Sequence, residues 1–299
     1  MMEFNSWNIL WSLCFGLLAT LIVVGNLLTI WIFLKQRLRK RAHFLLISLA
    51  VADLLVGLLT VPLYIITIEF MDQRYLLVIV FTLTDIFTVI ASMYMLAAIS
   101  LERMYAIGWP FRHRTLNFRL YIFAIAVPWI LAAIFTSISL LLYLHIITPE
   151  QFMYPLIFFQ ITPLLVMCTA YFVVWKKQKT MMGNQNHMVR ETRLAKTLFI
   201  ITGAFLLTWL PFQTLNLLIQ YLGVGRDLPY ITIIVIKFLQ FSNSLVNVIV
   251  YPLRISEFKT ALLQIFRCCV STCNRRNQVA PIRQSTVGQL QHCQELQVF

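Results

Sequence analysis

Two carboxylates, Asp53 and Asp85, stand inside long apolar stretches of this chain, as do Ser92, Lys237, Asn243 and Asn247. A charge at the centre of a bilayer costs at least about 2.5–3.5 kcal/mol, so each charged group needs a counter-charge, a proton or water. Asp53 lies about 15 Å along a helix that would begin near residue 44, too deep for a short side chain to reach an interface. Asp85, Ser92 and Arg103 are 7 and 11 residues apart. At 3.6 residues per turn they share one helix face, a polar stripe about 27 Å long. Asp85 is a candidate site for a ligand cation, and equally a candidate half of an internal ion pair. Lys237, near the same depth, would either neutralise Asp85 or pair with Glu69. Asn243 and Asn247 lie one turn apart and must find partners. The oxygens of Asp53, Ser92, Asn243 and Asn247 suit a hard cation such as Na⁺. Bond-breaking chemistry has no comparable signal: His43, His113, His145, His187 and His292 are scattered on or near loops, without an i, i+4 ligand pair.

The elements that position these groups follow from composition. Of 299 residues, 60% are hydrophobic and 12% charged, and the mean hydropathy is +0.80. Soluble domains carry about 25% charged residues. A soluble enzyme, a disordered chain and a secreted disulfide scaffold are excluded. Seven runs are long enough to cross a hydrocarbon core of about 30 Å: 9–34, 44–68, 78–107, 118–143, 152–177, 194–222 and 229–253. None alternates as barrel strands must, so the expected fold is an all-α membrane protein, a seven-transmembrane helix bundle. The first run is too long for a signal peptide, and basic residues follow it rather than precede it. The bundle would occupy 9–253, after an extracellular N-terminus (1–8). An amphipathic juxtamembrane helix (254–269) and a cytoplasmic tail (270–299) would follow.

Charge sets the orientation. One side carries Lys35, Arg37, Arg39, Lys40 and Arg41, then Arg112, Arg114 and Arg119, then Lys176, Lys177, Lys179, Arg190 and Arg193. The tail adds Arg267, Arg275, Arg276 and Arg283, whereas the other side offers Arg74 and Arg226. The basic side is expected to be cytoplasmic. A multi-pass plasma-membrane protein with its N-terminus outside and its C-terminus inside follows. The net charge of +13 then reflects topology and attraction to membrane lipids, and no nucleic-acid partner is needed. Cys14 and Cys168 lie in spans, and Cys268, Cys269, Cys273 and Cys293 on the reducing side, so no structural disulfide is expected.

Within the sixth run, T-W-L-P-F places Trp209 two residues before Pro211, an interior proline that kinks a helix. Phe205 and Trp209 share the face beside that kink. Glu191, at the start of this run, is a natural counter-charge for Arg103. After Pro252, Ile255, Phe258, Leu262 and Ile265 are spaced 3, 4 and 3, an amphipathic pattern suited to a membrane surface. Cys268 and Cys269 close it, as S-acylation sites or as plain thiols.

These landmarks, in this order, resemble the rhodopsin-like G-protein-coupled receptors over approximately residues 20–269. The likeness rests on G-N at 25–26, L-A-V-A-D-L-L at 49–55, and Ser92 followed by S-L-E-R-M at 100–104. It is extended by Trp129, Pro163 with Tyr171, W-L-P at 209–211, and N-S-x-x-N-x-x-x-Y at 243–251. The resemblance implies an extracellular small-molecule ligand in the bundle and a heterotrimeric G protein inside, with arrestin and receptor kinases as further partners, and no enzymatic reaction. By likeness, Glu102 and Arg103 belong to the D/E-R-Y motif, with Arg103 restrained by Glu191. Asp53, Ser92, Asn243 and Asn247 look like the allosteric sodium pocket; no other cofactor is implied. Trp209 looks like the switch tryptophan, and Tyr171 and Tyr251 like the tyrosines that move to Arg103. Departures are Val248 for the proline of N-P-x-x-Y, Met104 for the tyrosine of D-R-Y, Thr208 for the cysteine before the tryptophan, and Val78 for the helix-three cysteine. The short cysteine-free loop at about 144–152 is similar to that of the melanocortin, lysolipid and cannabinoid branch, in which Pro163 is atypical.

Asp85 stands where aminergic receptors hold the ligand ammonium, beside aromatics such as Phe212, Phe238 and Phe241. The fifth-span wall (Pro155, Leu156, Phe159) lacks the serines that meet catechols. With Lys237 close by, a zwitterion or an anion would also suit, and lipid and short peptide ligands stay open. Two rival readings remain. A retinal protein would share the acid and the lysine, but animal opsins carry that lysine six residues before the helix-seven asparagine, where this chain has Phe241; Lys237 is ten before. A transporter or channel would show repeated halves or Gly-rich broken helices, and nine glycines leave little room for them.

Overall fold

In a bilayer, apolar runs without alternation leave the backbone no hydrogen-bond partner but itself, and each run closes as a helix. The computed structural model describes residues 6–35, 41–69, 75–180 and 229–254, with 203, 207–208, 211–212, 214–215, 258–260 and 262–264. Its elements are α1 (Ser6–Lys35), α2 (Arg41–Leu55), a π-helical turn (Val56–Thr60), α3 (Val61–Glu69), α4 (Tyr75–Gly108), α5 (Pro110–Arg114), α6 (Phe118–Tyr143), α7 (Pro149–Thr180) and α8 (Tyr230–Arg254). Every regular element among the described residues is helical. Six helical stretches there are long and apolar enough to cross a membrane, with α2, the π turn and α3 forming one of them. The expected sixth run, 194–222, lies mostly outside the described residues; those of its positions that are described are helical.

Outward faces are as apolar as inward ones. On α1, Leu13, Leu17, Leu21 and Val24 are exposed while Phe15, Leu18 and Ile22 are buried. Such a surface is stable only against acyl chains. With oil on both sides, burial alone does not drive the helices together, and close packing and interhelical hydrogen bonds carry the association. The centre of α4 is buried on all sides from Ile90 to Ala97, and α4 packs against α2, α6 and α7. Trp129 of α6 donates from Nε1 to Ser48 Oγ of α2 at 3.0 Å. Asn26 of α1, fully buried, donates to the carbonyls of Ile22 (3.0 Å) and Ser244 (3.2 Å), tying α1 to α8.

Two local features shape the bundle. At Gly25 a Cβ would stand 2.6 Å from a Val248 methyl, so glycine is what lets α1 and α8 approach. Val248 therefore fills the position where the resemblance expects proline, and α8 runs as one helix from Tyr230 to Arg254. In the second span, the Val61 N–H reaches back to the Val56 carbonyl and closes the π turn. It directly precedes Pro62, whose nitrogen has no hydrogen to donate; a widened turn absorbs the bend this causes.

The described connections, from α4 to α7, are short. Pro110 opens α5, and Asn117 Oδ1 accepts from the Arg119 N–H at the start of α6. Between α6 and α7, His145 takes a left-handed conformation (φ 56°). Thr148 and Gln151 then cap α7 reciprocally, at 3.0 and 3.3 Å. Beyond α8, Phe258 is buried with its ring 5.5 Å from that of Phe33, and Leu262 is half-buried, while Lys259, Thr260, Leu263 and Gln264 are exposed. That alternation matches the amphipathic pattern of this segment in the residues described.

Candidate functional site: a polar column through the bundle

The buried polar groups of two facing helices line up. On α4 they are Asp85, Thr88, Ser92 and Ser100; on α8 they are Lys237, Gln240, Ser244 and Asn247. The α8 set is spaced 3, 4 and 3, one stripe of an α-helix. Together with Asp53 and Thr60 of the second span they make a polar column inside an apolar bundle.

At one end, Lys237 Nζ donates to Asp85 Oδ2 at 2.7 Å, both side chains being more than nine-tenths buried. Gln240 Nε2 donates to both carboxylate oxygens, at 3.0 and 3.2 Å. The ammonium also sits over three rings: Phe212 at 3.8 Å, Phe81 at 5.2 Å and Phe241 at 5.5 Å from the centroids. Aromatic faces stabilise a desolvated cation by about 2 kcal/mol. Of the two partners open to Lys237 on sequence grounds, the structure pairs it with Asp85. Gln240 and Phe81 were not singled out from the sequence. Gln240 was detectable, three residues after Lys237 on the same face; Phe81 was one apolar residue among many.

One turn deeper, Thr60 and Thr88 share a hydrogen bond of 3.3 Å. Below it, Asp53 is completely buried. Its Oδ2 accepts from Asn247 Nδ2 at 2.7 Å and its Oδ1 from Ser92 Oγ at 3.2 Å. Asn243 is only half-buried, and its Oδ1 accepts from Thr208 of the sixth run at 3.4 Å. Asn247 Oδ1 is buried with no hydrogen-bond partner among the described residues. An acceptor left over beside a carboxylate is what a cation-binding cluster of oxygens would provide.

Near the other end, Tyr171 of α7 shares a 3.1 Å hydrogen bond with Ser100, one turn before Arg103. Arg103 pairs through Nε with the neighbouring Glu102. Glu102 also bonds His113 Nε2 of α5 at 2.8 Å and Tyr121 of α6 at 3.4 Å, and Tyr121 and His113 meet at 3.1 Å. This cluster joins α4, α5 and α6. In the sequence His113 reads as one of several scattered histidines and Tyr121 carries no signal, because residues 8 to 19 positions apart on three elements show no periodicity. A crevice of about 600 Å³ between α4, α6 and α7 borders Glu102, but its walls, including Ala98, Leu101, Val127 and Pro163, are apolar. Asp53, Asp85, Lys237 and Asn247 are not among its lining residues.

The other sequence candidates are placed only in part. Tyr251 is within α8, its side chain outside the described residues; Trp209, Glu191, Cys268 and Cys269 lie outside them altogether. Phe238 packs on Trp11 and Phe15, with ring centroids 6.5 and 5.6 Å apart.

A buried acid–base pair, a central carboxylate with hydroxyl and amide partners, and an arginine at the far end of the same helix thus lie along one polar column of a membrane-type helix bundle. The chain belongs to the rhodopsin family of seven-transmembrane receptors, whose family model matches residues 25–251. It is a multi-pass, seven-helix membrane protein. Among individual proteins it is similar to the histamine H2 receptor of Cavia porcellus, 26% identical across 98% of this chain and 89% of the relative. The adenosine receptor A3 of Bos taurus is 29% identical across 83% of this chain and 86% of its own length, and that of Ovis aries 27% across 88% and 91%.

Proposed function

We propose that the chain receives a small extracellular ligand at Asp85, Lys237 and Gln240 and activates a heterotrimeric G protein at the Arg103 end. The observation that carries this reading is the continuity of the polar column, from the Asp85–Lys237 pair through Asp53 to Ser100 and Tyr171 beside Arg103. The basic connections support an orientation with the Arg103 end in the cytoplasm and the Asp85 end toward the outside of the plasma membrane. Relatives named for histamine and for adenosine support a ligand of that size.

A ligand shifts the bundle only by binding its active arrangement more tightly than its resting one. Glu102, His113 and Tyr121 tie α4, α5 and α6 together, a junction the resting arrangement would keep, and Glu191 is the further acid proposed to restrain Arg103. Asp53, Ser92 and Asn247, with Asn243 nearby, would hold a sodium ion, which supplies positive charge to the buried carboxylate and favours the resting arrangement. Trp209 transmits ligand contact to the kink at Pro211, and Tyr171 and Tyr251 move toward Arg103.

The test is guanine-nucleotide exchange on a panel of G proteins by membranes carrying the chain, with an N-terminal tag read on intact cells. The tag is expected to be accessible, and Glu191→Ala to raise basal exchange. A tag seen only after permeabilisation, or unchanged basal exchange at equal surface expression, counts against the reading. A second reading is favoured by one contact: Lys237 Nζ, 2.7 Å from Asp85, is placed as an imine nitrogen with its counter-ion. Incubation with retinal and a visible absorbance band lost in Lys237→Met would establish that reading; no band disposes of it.

A further inference from the structure

The proposed ligand site already contains its own cation. Asp85 gives one oxygen to Lys237 and both to Gln240, so its charge is neutralised before any ligand arrives. A ligand bearing only an ammonium would have to enter beside Lys237, against like-charge repulsion worth several kcal/mol in a desolvated site. It would otherwise have to expel Lys237 from its acid and leave an unpaired ammonium buried.

The unused bonding capacity of the cluster points elsewhere. An ammonium has three N–H donors, and among the described residues Lys237 commits one of them, to Asp85. The rest of the head faces the rings of Phe81, Phe212 and Phe241, which offer no anionic partner. Gln240 Oε1 is buried with no hydrogen-bond partner among the described residues. The site therefore has spare donors at Lys237 and a spare acceptor at Gln240, with a carboxylate between them. That is a bipolar receptor, net neutral, wanting an anion at one point and a donor at the other.

Resting on the receptor reading above, we infer that the ligand of this chain is a small zwitterion of the amino-acid type. Its carboxylate would take the free face of Lys237, and its ammonium would bridge Asp85 Oδ1 and Gln240 Oε1. The internal pair would thus be extended by two ligand pairs, and no buried charge would be left uncompensated. The aromatic wall would receive an apolar or aromatic body. A neutral nucleoside or a simple amine satisfies only one half of this arrangement.

Matched pairs of probes separate the possibilities: L-histidine against histamine, L-tyrosine against tyramine, and 4-aminobutyrate against butylamine. They are applied to cells expressing the full chain with a promiscuous G-protein readout. At least one zwitterion is expected to activate the parent about tenfold or more better than its partner amine lacking the carboxylate, as loss of one buried charge pair predicts. Lys237→Met is expected to invert that order, freeing Asp85 for the amine. Lys237→Arg, which keeps the charge, is expected to preserve it, and surface expression of each variant is followed by the N-terminal tag. Amines that match zwitterions on the parent, an order unchanged in Lys237→Met, or zwitterions silent on a parent that signals basally would each overturn the inference. Absence of basal exchange in the parent, in Glu191→Ala and under every probe would instead overturn the receptor reading itself.

Discussion

A buried carboxylate takes its role from its nearest donors, and Asp53 and Asp85 differ on that basis. Asp85 faces a lysine and an amide, and Asp53 faces the hydroxyls of Ser92 and Ser244 and an amide, with no cation within hydrogen-bond reach among the described residues. The first is charge-balanced by the chain; the second is left for an ion or a proton. Asp53→Asn should therefore abolish the effect of sodium on agonist affinity. Effector couplings of this kind run from about fivefold upward, so radioligand displacement with and without NaCl has the range to detect the loss. A sodium response equal to the parent's would remove the ion from this pocket. At this scale the sequence was informative: a carboxylate in an apolar run is visible without coordinates. Whether Lys237 met Asp85 or Glu69 was not, since sequence gives both acids an expected depth near that of the lysine and does not give the rotation of the helices that carry them.

Elements, rather than single residues, set the spacing of the column. Gly25 brings α1 to α8 at the level of Val248, one residue beyond Asn247, which holds Asp53. Gly25→Ala should cost about 1–3 kcal/mol through overpacking, read as a lowered Tm of the detergent-solubilised protein. The double variant Gly25→Ala/Val248→Ala should recover most of it, because the methyl that clashes is removed; no recovery would place the cost elsewhere. The α4–α5–α6 junction makes a second prediction. His113→Ala removes a 2.8 Å bond to a carboxylate, a class of interaction worth about 1.5–3 kcal/mol. Basal nucleotide exchange should rise severalfold as α5 loosens, with Tyr121→Phe giving a smaller rise from its longer 3.4 Å contact. Equal basal exchange in both variants and the parent would make the cluster a packing feature without a role in signalling. Neither feature was legible beforehand. Gly25 read as half of a two-residue landmark, and its partner Val248 read as a departure from the expected pattern; only their contact shows that the two belong together.

Across the whole molecule, length and hydropathy determined that the chain is a bundle of membrane-crossing helices, because only a closed backbone survives in oil. The period of 3.6 determined that Asp85 and Ser92 share a face, and the arginines and lysines of the connections set the expected orientation. Tertiary structure decided the pairings: Lys237 with Asp85, Asn247 and Ser92 with Asp53, His113 and Tyr121 with Glu102. A helix repeats along its own axis, so one sequence reveals which residues share a face. Which face of another helix lies opposite depends on the rotation and depth of both, and those are fixed by packing between residues more than a hundred positions apart, such as Gly25 against Val248.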